Sequence, residues 1–299
     1  MAGGGRAVTG MAVAVATALA LSVAACGHDG RPGAGAVGTL PVNAVERGGP
    51  AASGASHANP FAAVPAYLAG RHGTVLAAVY NVTTGQTWHL GSGPAQAEAS
   101  IVKLDILEAL LARGGTSGLS PAQETLARSM IEDSDNDAAT SLWDAAGGPG
   151  GLSAFNVRAG LTGTTPSSCV TCAGFPWPGW GLTSTVPDDQ LALLKQLVVP
   201  GSSSLLGPAE RAYALSLLEN VTPGQAWGAS GGVPAGVSVA LKNGWLPLND
   251  TDWQINSVGW VSGDGRDYLI AMLSTGSPTE QYGIDTVSGL SSRVWAALR

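Results

Sequence analysis

The order in which two hydrophobic periodicities follow one another restricts this fold more than any other feature of the chain. Alternating segments at 75–80 and 86–90 read as a strand pair around a turn at residues 81–85. A short helix near 61–69 precedes them. Helical spacing then takes over. A helix over about 100–113 carries Ile101, Leu104, Leu107 and Leu111 on one face. Ser120-Pro121-Ala122-Gln123 combines a Ser cap, Pro at the first helical position and Gln as capping-box partner, so a second helix runs to about residue 133. Further helices fit 137–146, 151–159, 188–198 and 208–220. Strand character returns at 237–246, 254–261 and 267–274, the last two joined by the turn at residues 262–265. A final helix over 281–298 has Ile284, Val287, Leu290 and Val294 as its stripe. Strands, helices, strands and a helix, with no internal repeat, predict an α+β fold of two lobes. An antiparallel sheet built from both chain ends is flanked by helices, and an all-helical lobe is inserted between its halves.

The N-terminus reads as a targeting segment. Arg6 supplies the positive charge, and residues 12–25 form an apolar run too short for a comfortable membrane span. The run ends in Val23-Ala24-Ala25-Cys26, which looks like a bacterial lipobox with Cys26 as the lipidated residue; an ordinary secretory peptide cut after Ala25 is the alternative. Residues 27–60, rich in Gly, Ala, Pro and Ser, have the composition of a flexible tether. The expected organisation is a leader over 1–25, an anchor and tether over 26–60, and a catalytic-sized domain over 61–299. The expected location is the outer face of the bacterial cell membrane, held by lipid.

Composition narrows the partners. With 45% hydrophobic and 12% charged residues the chain can bury a large core, and a net charge of -7 excludes a nucleic-acid partner, which needs dense Lys and Arg. After Cys26 only Cys169 and Cys172 remain. No second C-x-x-C exists, and His28, His57, His72 and His89 all lie far from the pair in sequence. In an oxidising compartment a small structural disulfide is expected, with a free or metal-binding pair as the alternative. No metal or organic cofactor is implied, and the protein is expected to be a monomer.

Three short polar clusters carry the chemistry. Ser100-Ile101-Val102-Lys103 opens a helix, and its i, i+3 spacing brings an amine beside a hydroxyl that sits at the positive end of the helix dipole. Ser134-Asp135-Asn136 lies between two helices, where such residues also serve as caps. Lys242-Asn243-Gly244 lies on a strand, a cation followed by a Gly that allows close backbone approach. A helix cap and a surface lysine at a turn explain the last two taken singly. The three together use two of only three lysines (Lys103, Lys195 and Lys242) and follow one order along the chain.

That order of S-x-x-K, S-D-N and a K-[TS]-G-like motif, each on the expected element, resembles the class A serine β-lactamases and penicillin-binding enzymes. The resemblance extends from about Phe61 to the C-terminus and includes the Gly-rich joint before Leu152 and the lead-in Thr183-Ser184-Thr185-Val186-Pro187. It implies an acyl-enzyme on Ser100, formed from a small-molecule or peptidoglycan-type amide such as a β-lactam. Lys103 would take the serine proton, and Ser134 would relay a proton to the leaving nitrogen. Asn136 would hold the substrate amide, and Lys242, with Asn243 and Gly244 beside it, would attract its carboxylate. The backbone N–H groups of Ser100 and Trp245 would form the oxyanion hole.

Departures from the family pattern shape the expectation. No Asp or Glu occurs between Gly151 and Pro187, where the family places the glutamate that activates the deacylating water. The stretch carries Phe175-Pro176-Trp177-Pro178-Gly179-Trp180 instead. Slow turnover is therefore expected. Asn243 replaces the usual Ser or Thr, and the short gap from Lys103 to Ser134 points to a more open cleft. A D,D-peptidase or esterase, and a weakly catalytic binding module on the same fold, are the alternatives. Gly228-Ala229-Ser230-Gly231-Gly232 matches G-x-S-x-G, yet every His lies upstream of it, which the hydrolase elbow does not allow. Of nine tryptophans, Trp177, Trp180 and Trp245 are expected beside the cleft and the others in the core.

Overall fold

A computed structural model of the chain describes residues 58–298 except 173, 175, 176, 203, 250 and 251. The expected leader, the anchor at Cys26 and nearly all of the tether lie outside the described residues, as do Phe175 and Pro176. In chain order, α1 (Val64–Leu68) precedes the hairpin β1 (Thr74–Asn81) and β2 (Thr87–Leu90), and β3 (Gln96–Ala97) leads into α2 (Val102–Gly114). The helical run continues with α3 (Pro121–Arg128), α4 (Asn136–Ala146) and α5 (Gly148–Ala159). The short β4 (Ser184–Thr185), α6 (Pro187–Val198) and α7 (Pro208–Glu219) follow. Strands β5 (Ser238–Asn249), β6 (Asp252–Gly263) and β7 (Arg266–Ser277), then α8 (Glu280–Ala297), complete the chain.

The five-stranded sheet has the order β2-β1-β7-β6-β5, antiparallel throughout. The pairing of β1 with β7, from Thr74 opposite Thr275 to Asn81 opposite Tyr268, joins the two ends of the chain, as the order of elements predicts. Strand alternation sorts the side chains to two cores. Leu76, Ala78, Leu269, Ala271 and Leu273 face the core shared with the helical lobe. Val75, Ala77, Val79, Ile270 and Met272 face the core under α1 and α8. The fold is the α+β arrangement read from sequence.

Two details were not legible in sequence. β3 and β4 pair as a separate two-stranded ribbon at the boundary between sheet and helices, with Gln96 opposite Thr185. Two residues each are too few for any periodicity. Helix α2 is also buried all round from Val102 to Leu111, although its apolar stripe predicts one wet face. The G-x-S-x-G segment forms a single turn at Gly228–Ser230 with no helix after it, and Gly231 and Gly232 pack on Ser288 and Ser292 of α8. Among the described residues no helix is long and apolar enough to cross a membrane.

Candidate active site

Ser100 sits in a tight turn, Ala99–Ile101, that runs directly into α2. The residue before it, Ala99, has φ 52°, a left-handed conformation that an L-alanine adopts only under constraint. The constraint is visible. Asn256 on β6 donates from Nδ2 to Ala97 O (2.8 Å) and Glu98 O (2.9 Å), and Glu98 N donates to Thr183 O (2.8 Å). The backbone ahead of Ser100 is thus held from the sheet on one side and from the 183–185 segment on the other.

The second cluster is presented by a broken helix. After α3 the chain makes a wider turn over Ser129–Asp133 and then places Ser134 in the left-handed region at φ 59°. Asp135 caps α4, accepting from Ala138 N at 2.7 Å, so it faces along the helix and not into the site. The cap fixes Ser134 and Asn136 on either side of it. Both turn toward Lys103, whose Nζ lies within hydrogen-bond reach of Ser134 O (2.6 Å), Ser134 Oγ (3.1 Å), Asn136 Oδ1 (2.7 Å) and Ser100 Oγ (3.1 Å).

The third cluster comes in on β5, the edge strand. Lys242 Nζ donates to Ser134 Oγ at 2.9 Å and to Asn243 O at 2.9 Å. Gly244 allows this approach: a Cβ there would stand 2.7 Å from Ser100 N and 2.8 Å from Glu98 O. The three clusters therefore meet in space. Ser134 Oγ lies between the two lysines, within 3.1 Å of each.

Burial sets the electrostatics. Lys103 has no exposed surface, and desolvation brings its pKa down from 10.5 to about 7, the negative charge of Asp135 resisting the fall. Lys242 is pushed well below the ordinary lysine range, first by desolvation and then by the neighbouring Lys103. An amine that is substantially unprotonated near neutral pH can accept a proton from a hydroxyl at 3.1 Å.

Above the cluster lies a cavity of about 310 Å³. Ser100, Ser134 and Asn136 form its polar base, and Trp177, Trp180, Trp245 and Trp253 stand in its walls with Leu246 and Pro247. Three of these tryptophans were expected there. Trp253 was not, because its place follows from its pairing opposite Pro247 on the edge strand. Trp177 and Trp180 are fastened to α4, donating from Nε1 to Asp137 Oδ1 and Thr140 Oγ1, each at 3.2 Å. Cys169 and Cys172 form a disulfide beside this loop, and Gly179 N donates to Cys169 O at 2.7 Å.

Not every expected site residue reaches the cavity. Asn243 is fully buried and turns away from it, donating from Nδ2 to Gln225 O (2.6 Å) and Trp227 O (3.1 Å). Lys242 and Gly244 lie behind the wall without lining it. A set of acids that the sequence did not single out lies on α2 and beside it: Glu98, Asp105 and Glu108 have no exposed surface, and Asp189 has little. Desolvation raises Glu98 and Glu108 well above the carboxylate range and Asp105 to about 7, with repulsion among the acids adding to it. Among the described residues no group of three or more His, Cys, Asp or Glu side chains is arranged to hold a metal ion.

Comparison with known proteins agrees with this fold. Among solved structures, the TLA-1 extended spectrum β-lactamase superposes with a TM-score of 0.71 at 18% identity, covering 80% of this chain and 98% of that one. A class A β-lactamase from Mycobacterium abscessus gives 0.65 at 22% identity, covering 78% and 97%. Identities this low establish the fold alone. A protein named "Putative lipoprotein LppW" in Mycobacterium tuberculosis and Mycobacterium bovis is 30% identical over 211 residues, which are 67% of this chain. The match spans 63% of the length of those relatives. The model of the family described as "Beta-lactamase enzyme family" matches residues 112–298, a stretch that begins after Ser100 and Lys103 and takes in the other two clusters. More than half of the chain is matched, and the chain belongs to the beta-lactamase enzyme family.

Proposed function

We propose that this protein is a serine acyl-transfer hydrolase that forms an acyl-enzyme on Ser100. The observation that carries the reading is the buried Lys103 amine, 3.1 Å from Ser100 Oγ and held near pKa 7 by desolvation. In the forward step Ser100 Oγ bonds to the substrate's acyl carbon while its proton passes to Lys103 Nζ. The leaving group departs with a proton relayed through Ser134 Oγ, which touches both lysines. The N–H groups of Ser100 and Trp245 serve as the oxyanion hole, an arrangement supported by the contact of Gly244 with the Ser100 backbone. Water then cleaves the acyl ester, releasing the acid and restoring the hydroxyl.

Deacylation is the slow step in this reading. Residues 151–187 contain no acid, so the loop over the cleft offers no carboxylate base to the attacking water. Amides of the kind the family acts on are the first substrate class to consider. The relatives named as lipoproteins support export and anchoring through Cys26, on the outer face of the membrane.

Intact-mass spectrometry with a fluorophosphonate, which needs only a competent nucleophile, tests the assignment. One adduct on the wild type and none on Ser100→Ala is expected, with both proteins giving the same thermal melt. With a reactive acyl donor the adduct should persist over minutes. An unlabelled wild type, or labelling that survives in Ser100→Ala, overturns the reading.

A further inference from the structure

The cleft has a chemical character of its own, apart from the machinery at its base. Among the described residues the polar side chains at its base are Ser100, Ser134 and Asn136, all uncharged, and tryptophan, leucine and proline stand in its walls. Residues 159–187, which supply one wall, contain no Asp, Glu, Lys or Arg, and neither do residues 243–249 on the other.

Two amines lie beneath the cavity and neither lines it: Lys103 Nζ stands behind Ser100, Ser134 and Asn136, and Lys242 is likewise withheld. Lys242 is 1% exposed, and its Nζ is engaged by Ser134 Oγ and Asn243 O at 2.9 Å each. Asn243, next along the strand, donates its amide to Gln225 O and Trp227 O, away from the cleft. None of the described arginines lines the cavity, and the charged group engaged at its rim is an acid, Asp137, which accepts from Trp177 Nε1. A carboxylate brought here would lose its hydration against apolar surface with no charged side chain among the described lining residues to receive it, an uncompensated and unfavourable burial. An aromatic or alkyl body would instead gain from covering indole surface and removing apolar area from water.

We propose that this cleft selects uncharged acyl donors, amides or esters, with an aromatic or alkyl body, and discriminates against donors that carry a carboxylate. This rests on the reading of Ser100 as nucleophile only for turnover; the preference in binding stands apart from it. The selectivity follows from what the walls lack as much as from what they contain.

Matched substrates test it. Acylation should favour p-nitrophenyl 4-phenylbutanoate over the mono-p-nitrophenyl ester of glutaric acid by about tenfold or more in kcat/KM. Independently, tryptophan fluorescence of Ser100→Ala should report tighter binding of an N-phenylacetyl amino acid methyl ester than of its free acid, again by about tenfold. Leu246→Arg, which places a cation in the wall, should narrow or reverse both ratios. Equal or stronger binding of the free acid by Ser100→Ala overturns the proposal. Retained discrimination in that variant, with no labelling of wild-type Ser100, removes the catalytic reading and leaves the specificity. Labelled Ser100 with equal use of both esters removes the specificity and leaves the catalysis.

Discussion

In the proposed reaction Lys103 takes the serine proton because of where it is buried, and the consequences are measurable at the level of a single proton. Its pKa of about 7 makes the free amine the acceptor, so the rate of Ser100 acylation should rise with pH through about 7 and level off above it. Stopped-flow acylation between pH 5.5 and 9 reads this directly, and Lys103→Arg, always protonated, should lose the rise along with most of the rate. A flat profile in the wild type would mean that another group accepts the proton. The Ser100–Lys103 pair was legible in sequence because i, i+3 spacing on a helix is a local rule that tertiary packing does not alter. Asn243 was not. Its identity suggested contact with substrate, but the direction of its amide is fixed by the carbonyls of Gln225 and Trp227, residues about 16 to 18 positions away that only the folded chain brings near.

Among elements, the edge strand β5 is the part whose position decides whether a site exists. It reaches the turn that carries Ser100 through Gly244, where a methyl group would meet Ser100 N at 2.7 Å and Ile101 N at 2.8 Å. Gly244→Ala should therefore push strand and turn apart, with a loss of about 1–3 kcal/mol in stability. A displacement of about 1 Å at the reacting atoms lowers the rate by about a hundredfold. Thermal melts and fluorophosphonate labelling rates measure the two effects separately; an unchanged labelling rate would show that the strand tolerates the shift. The strand itself was predictable from alternation at 237–246, and its three extra residues at the far end were not. Residues 247–249 are exposed, and they pair with β6 across an irregularity that no periodicity announces.

For the molecule as a whole, the buried acids on α2 link stability to pH. Asp105 is fully buried with both carboxylate oxygens unpaired by hydrogen bonds of good geometry, and its pKa is raised to about 7. A raised folded-state value means that the protonated form is the one the core tolerates. Its contribution is complete below the unfolded value near 4 and is lost as pH climbs through about 7. Asp105→Asn should accordingly gain on the wild type as pH rises from 4.5 to 8, and subtracting the two melting curves removes the opposite influence of the buried lysines. A difference that stays constant with pH would place the titration elsewhere. A single apolar stripe gave no sign of these groups, because only packing on all sides turns Asp105 and Glu108 inward.

The pairing of β1 with β7 has a consequence for how the chain is made. The first strand finds its principal partner about 190 residues later, so while the polypeptide is leaving the ribosome β1 has only its hairpin mate β2. Contacts of such long sequence separation slow folding and postpone it until synthesis is nearly complete. A chain truncated before Arg266 should consequently stay unstructured, which is also the state in which a polypeptide can be threaded across a membrane.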